Sequence, residues 1–381
     1  MHLIVPFAGV MSEAGRAAVR ELALPHLARA LDGMGLQWLA APAGADPEEP
    51  ELSLTPPHEH VRALAWGLTV ADGQVPWAAL EAARLGLPGA ERAWGRLTPA
   101  HWQLGTEQIT MLAPQLLALD SAASAAFLEA VRPLFETEGF ELHATEAGHW
   151  LASHPVLADL PCASLDRVIG RNVDLWLPAD PRARLVRRLQ NEVQMFLHTH
   201  LLNEDREQRG ALPVNSFWLD GCGVAPASQG AAALASSAAV IEDDRLRAPA
   251  LNEDWFAWSR AFAQLDEGPI AQALQAAGEG HPVKLSLCGE RQACILTPRP
   301  LTAWQRLRRA WRPPPMAAVE RCLEALCPPP ACSPGTPRRA PALPWSRPAC
   351  TPCWPACWPR AACAPQPRWM TGCRICCRPP P

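Results

Sequence analysis

Two hydrophobic periods run along this chain, and each marks out different elements. The opening "HLIVPFAG" is a continuous apolar run, short enough for a buried strand. Glu13 to Leu31 then carries Val19, Leu22, Leu27 and Leu31 near helical spacing, with Pro25 opening a second helical piece rather than sitting inside the first. Strand followed by helix predicts an α/β domain. An acidic, proline-bearing loop is expected between Ala41 and Pro57. His60 to Leu97 reads as mainly helical, with breaks at Gly73 and Pro88, and His101 to Leu112 as a strand or two. Ser121 reads as the N-cap of a helix through Phe135, followed by "FELHAT" and "HWLAS" as paired strands about the turn Glu146-Ala147-Gly148. Arg182 to His198 sets Leu185, Leu189, Val193 and Phe196/Leu197 on one face, the mark of an amphipathic helix. "VNSFWLDGCG" reads as a strand ending in a glycine turn, Asp254 to Ala277 as helix, and "VKLSLCGERQACIL" as a hairpin turning at Gly289-Glu290. The pattern assigns an α/β body to residues 1–312.

The pattern then stops. From Pro313 onward prolines recur every few residues, which excludes regular helix and central strands over most of the segment, and no acid follows Glu324. Ten of the 14 cysteines crowd into this end, whereas the body holds only Cys162, Cys222, Cys288 and Cys294. A disordered tail over 313–381 is expected. Cys350-x2-Cys353 and Cys373-x2-Cys376 have a zinc-ribbon spacing, but the intervening prolines leave little room for the hairpins that hold such a site. Out-of-frame reading of GC-rich DNA yields this Pro, Arg, Ala, Cys and Trp composition, which motivates the hypothesis that a frameshift replaced the native end. Resequencing the locus with an intact mass tests it, and an unbroken frame removes it.

Charge and composition narrow the function classes. A net charge of -4 over 381 residues creates no global field toward nucleic acid. The N-terminus lacks a basic segment, and no charge-free apolar run approaches the roughly 20 residues of a membrane span. A cytoplasmic protein with neither nucleic acid nor membrane as partner is the expectation. One basic aromatic segment, "LTAWQRLRRAWRPPP", groups Trp304, Leu307 and Trp311 among arginines and reads as an ordinary edge helix or as a segment that docks on a protein partner or an anionic surface.

Candidate chemistry concentrates in "HTHLLNEDREQRGALPVNSFWLDGCG". His198 and His200 close a helix, where residues two apart point about 200° from one another, so they are not expected to share a metal. Gly221-Cys222-Gly223 lacks the third small residue of a dinucleotide loop, because Pro226 stands there, and reads as a tight turn. The ordered ensemble His200, Asn203, Arg206, Gly210, Pro213, Asn215, Trp218, Gly221 and Gly223 is more specific. It resembles a segment of the archaeal-type cofactor-independent phosphoglycerate mutases, and the likeness extends from about Thr98 to Gly223. The body as a whole, through "MHLIVPFAG", "LDRVIGRNVDLWLP", "LQNEVQMFLHTH" and "LSLCGE", is similar to the RpfE-type proteobacterial regulatory proteins.

That resemblance implies an alkaline-phosphatase-superfamily body, with two divalent metal ions, a serine or threonine nucleophile, and Asp and His ligands. This sequence departs from the pattern where the metals would be held. The first strand ends in Pro6-Phe7-Ala8-Gly9 without an aspartate, Leu24-Pro25-His26-Leu27 lacks the polar groups of the next motif, and Glu279-Gly280-His281 only echoes a later one. The expectation is therefore a degenerate body without a metal site or cofactor, a divalent metal entering only if mutase activity is retained. His200, Asn203, Arg206, Asn215 and Arg171, with Arg167 as a further candidate, are the residues expected to bind a phosphorylated small molecule. The alternative for Asn203, Arg206 and Asn215 is that they only cap and cross-link the loop. Asp243, Asp244 and Asp254 are the acids that would have to replace lost metal ligands.

Overall fold

The apolar opening run is strand β1, His2–Val5, and all four residues are buried. Leu3 and Val5 face one hydrophobic core while Ile4 faces another, which is why the run is continuous rather than alternating. In this computed structural model residues 1–46, 49–89, 91–225, 240–300, 304 and 316–328 are described. Met1–Ala331 form one unit and Cys332–Pro381 another. The first unit is a mixed α/β structure with two main sheets. Elements are numbered in chain order.

The first sheet has the order β2-β11-β10-β1-β9, with β2 Met34–Trp38, β9 Val240–Glu242, β10 Lys284–Cys288 and β11 Ala293–Pro298. β1 is parallel to both of its neighbours, in register Val5↔Leu287 and Ile4↔Glu242, and β10–β11 is the hairpin read from the sequence. On one face lie α1 (Glu13–Glu21), α2 (Pro25–Gly33) and α10 (Trp255–Leu265). Ser12 caps α1 by accepting from the Gly15 NH, and Pro25 opens α2. Beyond α10 a π-helical stretch, Asp266–Ile270, leads into α11, Ala271–Gly278. Asp266 turns back to accept from the NH groups of His26 and Leu27 at 3.0 and 2.7 Å, capping α2 from a distance.

The second sheet, β6-β7-β3-β8, is antiparallel throughout, with β3 Ala93–Ala100, β6 Glu141–Ala144, β7 Trp150–Ser153 and β8 Ser216–Val224. One face packs on α5 (Ser121–Thr137) and α7 (Arg184–His198). The other receives α4, Trp77–Arg84, through Ala78, Ala79 and Ala82 against Trp94. A short hairpin, β4 (Trp102–Leu104) with β5 (Ile109–Met111), lies apart. The remaining helices are α3 (Pro57–Ala65), α6 (Leu165–Val168), α8 (Leu201–Gln208), α9 (Arg247–Leu251) and α12 (Met316–Ala325).

Four readings change. The stretch to Leu97 is not helical at its end: Ala93–Ala100 is the central strand β3, held between β7 and β8. Pairing on both edges overrides its local pattern. The glycine pair after β8 is not a turn. Trp94 opposes Gly223 and Arg96 opposes Asp220, so Gly221-Cys222 form a bulge within the strand. Gly221 has φ 63°, and a Cβ there would meet the Ala78 nitrogen at 3.2 Å, so the glycine serves both the bulge and the close approach of α4. The cap of α5 is Asp120, accepting from the Ala123 NH at 2.7 Å, rather than Ser121. Finally, part of the stretch expected to lack regular structure is helical: Val319, Cys322 and Leu323 of α12, with Leu326, join the core under β1 and β10. The cysteine pairs from Cys350 onward, the frameshift reading of the end, and all of the basic aromatic segment except Trp304 lie outside the described residues.

Candidate functional site

The carboxyl ends of the parallel strands β1 and β9 come out on one side of the first sheet, the usual place for a ligand site in an α/β sheet. A polar cavity of about 570 Å³ opens there. Helix α3 supplies His58 and Glu59 from its first turn and Arg62 from its last, β3 supplies Arg96 and Thr98, and the entry to α6 supplies Ser164 and Asp166. Glu242 ends β9, and Asp244 and Arg247 follow it.

Asp166 is the junction of the wall. Its Oδ2 lies 3.2 Å from His58 Nε2, and its Oδ1 accepts from Arg247 Nε at 2.7 Å and also from Arg247 Nη2. Burial alone would raise its pKa, but the hydrogen bonds from His58 and Arg247 outweigh burial and hold the carboxyl well below the usual aspartate range. The ring of Phe7, just past β1, packs on His58 with centroids 5.5 Å apart. Glu59 is equally committed: it accepts from the Trp77 indole NH at 3.0 Å and from the Ser164 hydroxyl at 2.8 Å. Arg62 lies 4.0 Å over the Trp77 ring while donating to Glu242 at 2.9 Å.

Arg96 makes a fork onto Asp220 of β8 at 2.7 and 3.0 Å, and Asp220 also accepts from the Leu165 NH at 3.1 Å. This pair ties the start of α6 to the second sheet, and it spans the bulge that the two glycines create. At the rim His149 meets both oxygens of Glu81 at 2.9 and 3.0 Å. Burial opposes ionisation of Glu81, yet the hydrogen bond and charge of His149 hold its carboxyl below the ordinary value.

Three arginines and four carboxylates line the cavity, so it has no positive field to attract an anion from afar. Recognition must rest on directed hydrogen bonds. Among the described residues Nη1 of Arg96 and Nη1 of Arg247 make no hydrogen bond to protein, and the Asp244 carboxylate accepts none, although its charge supports that of Arg247. A ligand met by these groups carries an anionic group for the two guanidiniums and hydroxyl or amino donors for the acids.

The residues present do not fit the two-metal centre that the resemblance implies. β1 delivers Phe7 rather than a carboxylate, and Asp166 and Glu59 already hold protein donors. The acids considered as replacements do not converge: Asp243 takes Arg245 at 2.7 Å, Asp254 caps α10, and only Asp244 faces the cavity. Glu279 and His281 make an exposed pair at 3.7 Å. Among the described residues no group of three or more His, Cys, Asp or Glu side chains is placed to hold a metal ion.

None of the residues expected to bind a phosphorylated small molecule lines this cavity; of the residues singled out in the sequence, Asp244 does. His200 caps α8 by accepting from the Leu202 NH at 3.2 Å, and His198 ends α7. Asn203 is buried and cross-links the chain, donating to the Leu197 and Val214 carbonyls at 2.8 and 2.7 Å and accepting from the Val214 NH at 2.9 Å. Arg206 donates to the carbonyls of Leu212 and Leu117. Asn215 pairs with both backbone groups of Trp102 at 2.7 and 2.9 Å. Arg171 is elsewhere, paired with Glu290. These geometries match the capping and cross-linking alternative, because the polar groups are taken up by backbone that would otherwise be buried unpaired. Asn203→Ala should cost about 2–4 kcal/mol, since it strands the buried NH and carbonyl of Val214 and takes one of its donors from the Leu197 carbonyl; urea unfolding measures it, and a loss below about 1 kcal/mol would make the cross-link dispensable. The sequence signal for this site is Asp166 in "LDRVIGR", a lone acid between Leu165 and Arg167 at the start of a short helix. Arg96 was hidden inside the unrecognised strand β3.

No family model matches the chain, and no curated protein matches it. Solved structures similar to it include a cofactor-independent phosphoglycerate mutase from Thermoplasma acidophilum DSM 1728, at 13% identity, covering 78% of this chain and 89% of that chain, with a TM-score of 0.32. The PH0037 protein from Pyrococcus horikoshii is another, at 10% identity, covering 78% of this chain and 87% of that one, with a TM-score of 0.39. Overlays this loose carry no argument about shared chemistry. No helix among the described residues is long and apolar enough to cross a membrane.

Proposed function

We propose that this chain is a non-catalytic, ligand-sensing protein, a degenerate relative of the phosphoglycerate mutases within the alkaline-phosphatase superfamily and of the RpfE-type regulatory kind. The observation that carries the reading is the state of the cavity's acids. Asp166 and Glu59 are saturated by His58, Arg247, Trp77 and Ser164, so they brace the walls instead of waiting for metal ions. The free Nη1 groups of Arg96 and Arg247, with Asp244 in the same lining, suit a phosphorylated hydroxy acid, which brings an anionic group and hydroxyl donors together.

A thermal-shift titration with 3-phosphoglycerate, with and without manganese, tests this. The expected result is a saturable, metal-independent rise in melting temperature. Arg247→Lys keeps a cation beside Asp166 but loses the planar fork, and should weaken the apparent affinity by about tenfold or more. Turnover or a manganese-dependent shift would restore the mutase reading. Absence of any shift would instead favour a protein-interaction role.

A further inference from the structure

Arg167 is a buried guanidinium that forms no ion pair among the described residues. It is 2% exposed on α6. Its Nη1 donates to the Glu290 carbonyl at 2.8 Å, its Nη2 reaches the Thr55 carbonyl only at 3.5 Å, and its Nε has no acceptor. Among the described residues no carboxylate stands within ion-pair distance of it. The Glu290 side chain turns to Arg171, and Asp72 spends its oxygens on the Ser53 hydroxyl and the NH groups of Leu54 and Thr55. Burial pushes this guanidinium down to about 10, which shows how little compensates its desolvation. A cation held this deep is ordinarily paired, because the interior does not replace the water it has lost.

The same side chain lines a second cavity of about 280 Å³, beside the loop that follows β2. Arg291 lines it too, pairing with Glu51 at 3.1 Å, donating to the Pro328 carbonyl, and leaving its own buried Nε without an acceptor. Among the described residues no aspartate or glutamate faces this space, in contrast to the first cavity. Much of the remaining wall is apolar, from Leu39, Pro42, Pro50 and Pro57. Two arginines, no facing acid and an apolar lining define the ligand chemistry.

We propose that this second cavity is an anion site, in which a carboxylate or phosphate on a short apolar body sits against Arg167 and Arg291 and supplies the missing counter-charge. It is separate from the first site but shares its walls. Asp166 lines one cavity and Arg167 the other, while α3 gives His58 to the first and His60 to the second. The proposal does not depend on what the first cavity binds.

The experiment is a titration of the full-length chain with inorganic phosphate, acetate and butyrate, at an ionic strength fixed with chloride, read by thermal unfolding and by calorimetry. The expected result, read in Arg247→Lys so that anion taken up by the first cavity does not count, is saturable binding of at least one of the three, with a rise of a few degrees in melting temperature, abolished when Arg291→Met is added. Tighter binding of butyrate than acetate assigns a carboxylate on an apolar body, and binding of phosphate alone assigns a phosphate. Arg167→Met gives an independent readout: without anion it should melt no lower than the parent, because an apolar chain of similar length replaces an uncompensated charge, and it should no longer respond to anion. Should that variant fail to fold, Arg291→Met carries the test. No saturable response to any of the three anions, or a response surviving in the arginine variants, overturns the proposal.

Discussion

Asp220→Ala is expected to destabilise the protein by about 3–5 kcal/mol, the range for removing one partner of a buried ion pair. Asp220 is 2% exposed on β8, opposite Arg96 on β3, and both of its oxygens are taken by the Arg96 fork. Losing the carboxylate leaves that guanidinium half-buried without its partner, and the Leu165 NH loses its acceptor as well. The entry to α6 is thereby released, and Asp166 sits one residue further on. The same substitution should therefore also weaken ligand binding in the first cavity. Urea unfolding reads the stability, and the double variant Arg96→Met/Asp220→Leu supplies the control. Removing both charges together should recover much of the loss, since no ion is left behind to be desolvated. A single variant within about 1 kcal/mol of the parent would show that water satisfies Arg96 and that the pair does not hold the sheet to α6.

Asp166→Ala is expected to cost a similar ~3–5 kcal/mol near neutral pH, and its effect should be pH-dependent. The folded carboxyl is held below the ordinary aspartate value of about 3.9 by its hydrogen bonds to His58 and Arg247. A depressed folded pKa means that the unfolded chain takes up the proton first as the solution is acidified. The stabilisation is therefore complete above about pH 4 to 5 and is lost as pH falls toward the folded value. Stability curves measured from pH 7 downward should start apart and approach each other in acid, the parent losing stability faster than the variant. Parallel curves would mean that Asp166 is not the titrating brace.

Local patterns carried much of the fold. Residues three and four apart on one side of Arg184–His198, and the continuous apolar run at His2–Val5, marked the helix and the central strand because burial on one face or on two leaves different periods in the sequence. Ser12 before α1 and Pro25 at the start of α2 are likewise local signals, since a cap and a first turn involve only near neighbours. The strand Ala93–Ala100 was not legible, because what makes it a strand is the pairing of Trp94 with Ser153 on one edge and of Leu97 with Leu219 on the other. Helix α12 was passed over for a related reason: the prolines around it dominate the composition, while its burial depends on α1 and α2, some 300 residues earlier in the chain.

The candidate site divides along the same line. The sequence showed that a polar, loop-forming segment surrounds Asn203, Arg206 and Asn215, and that no aspartate follows the first strand. Whether those polar groups turn outward to a ligand or inward to carbonyls could not be read from their order, because a buried backbone makes the same demand for donors as a ligand does. Only the tertiary structure brought His58, Arg96, Asp166, Glu242 and Arg247 to one cavity, from positions spread over almost 190 residues. Among the described residues it also gave Arg167 no carboxylate within ion-pair distance, since charge pairing is decided by distances in space and not along the chain. The mixed α/β class of the fold and the absence of an aspartate after the first strand were legible in the sequence by itself, because both reside in local residue type; the identity of the walls depended on which strands paired and which side chains were buried together.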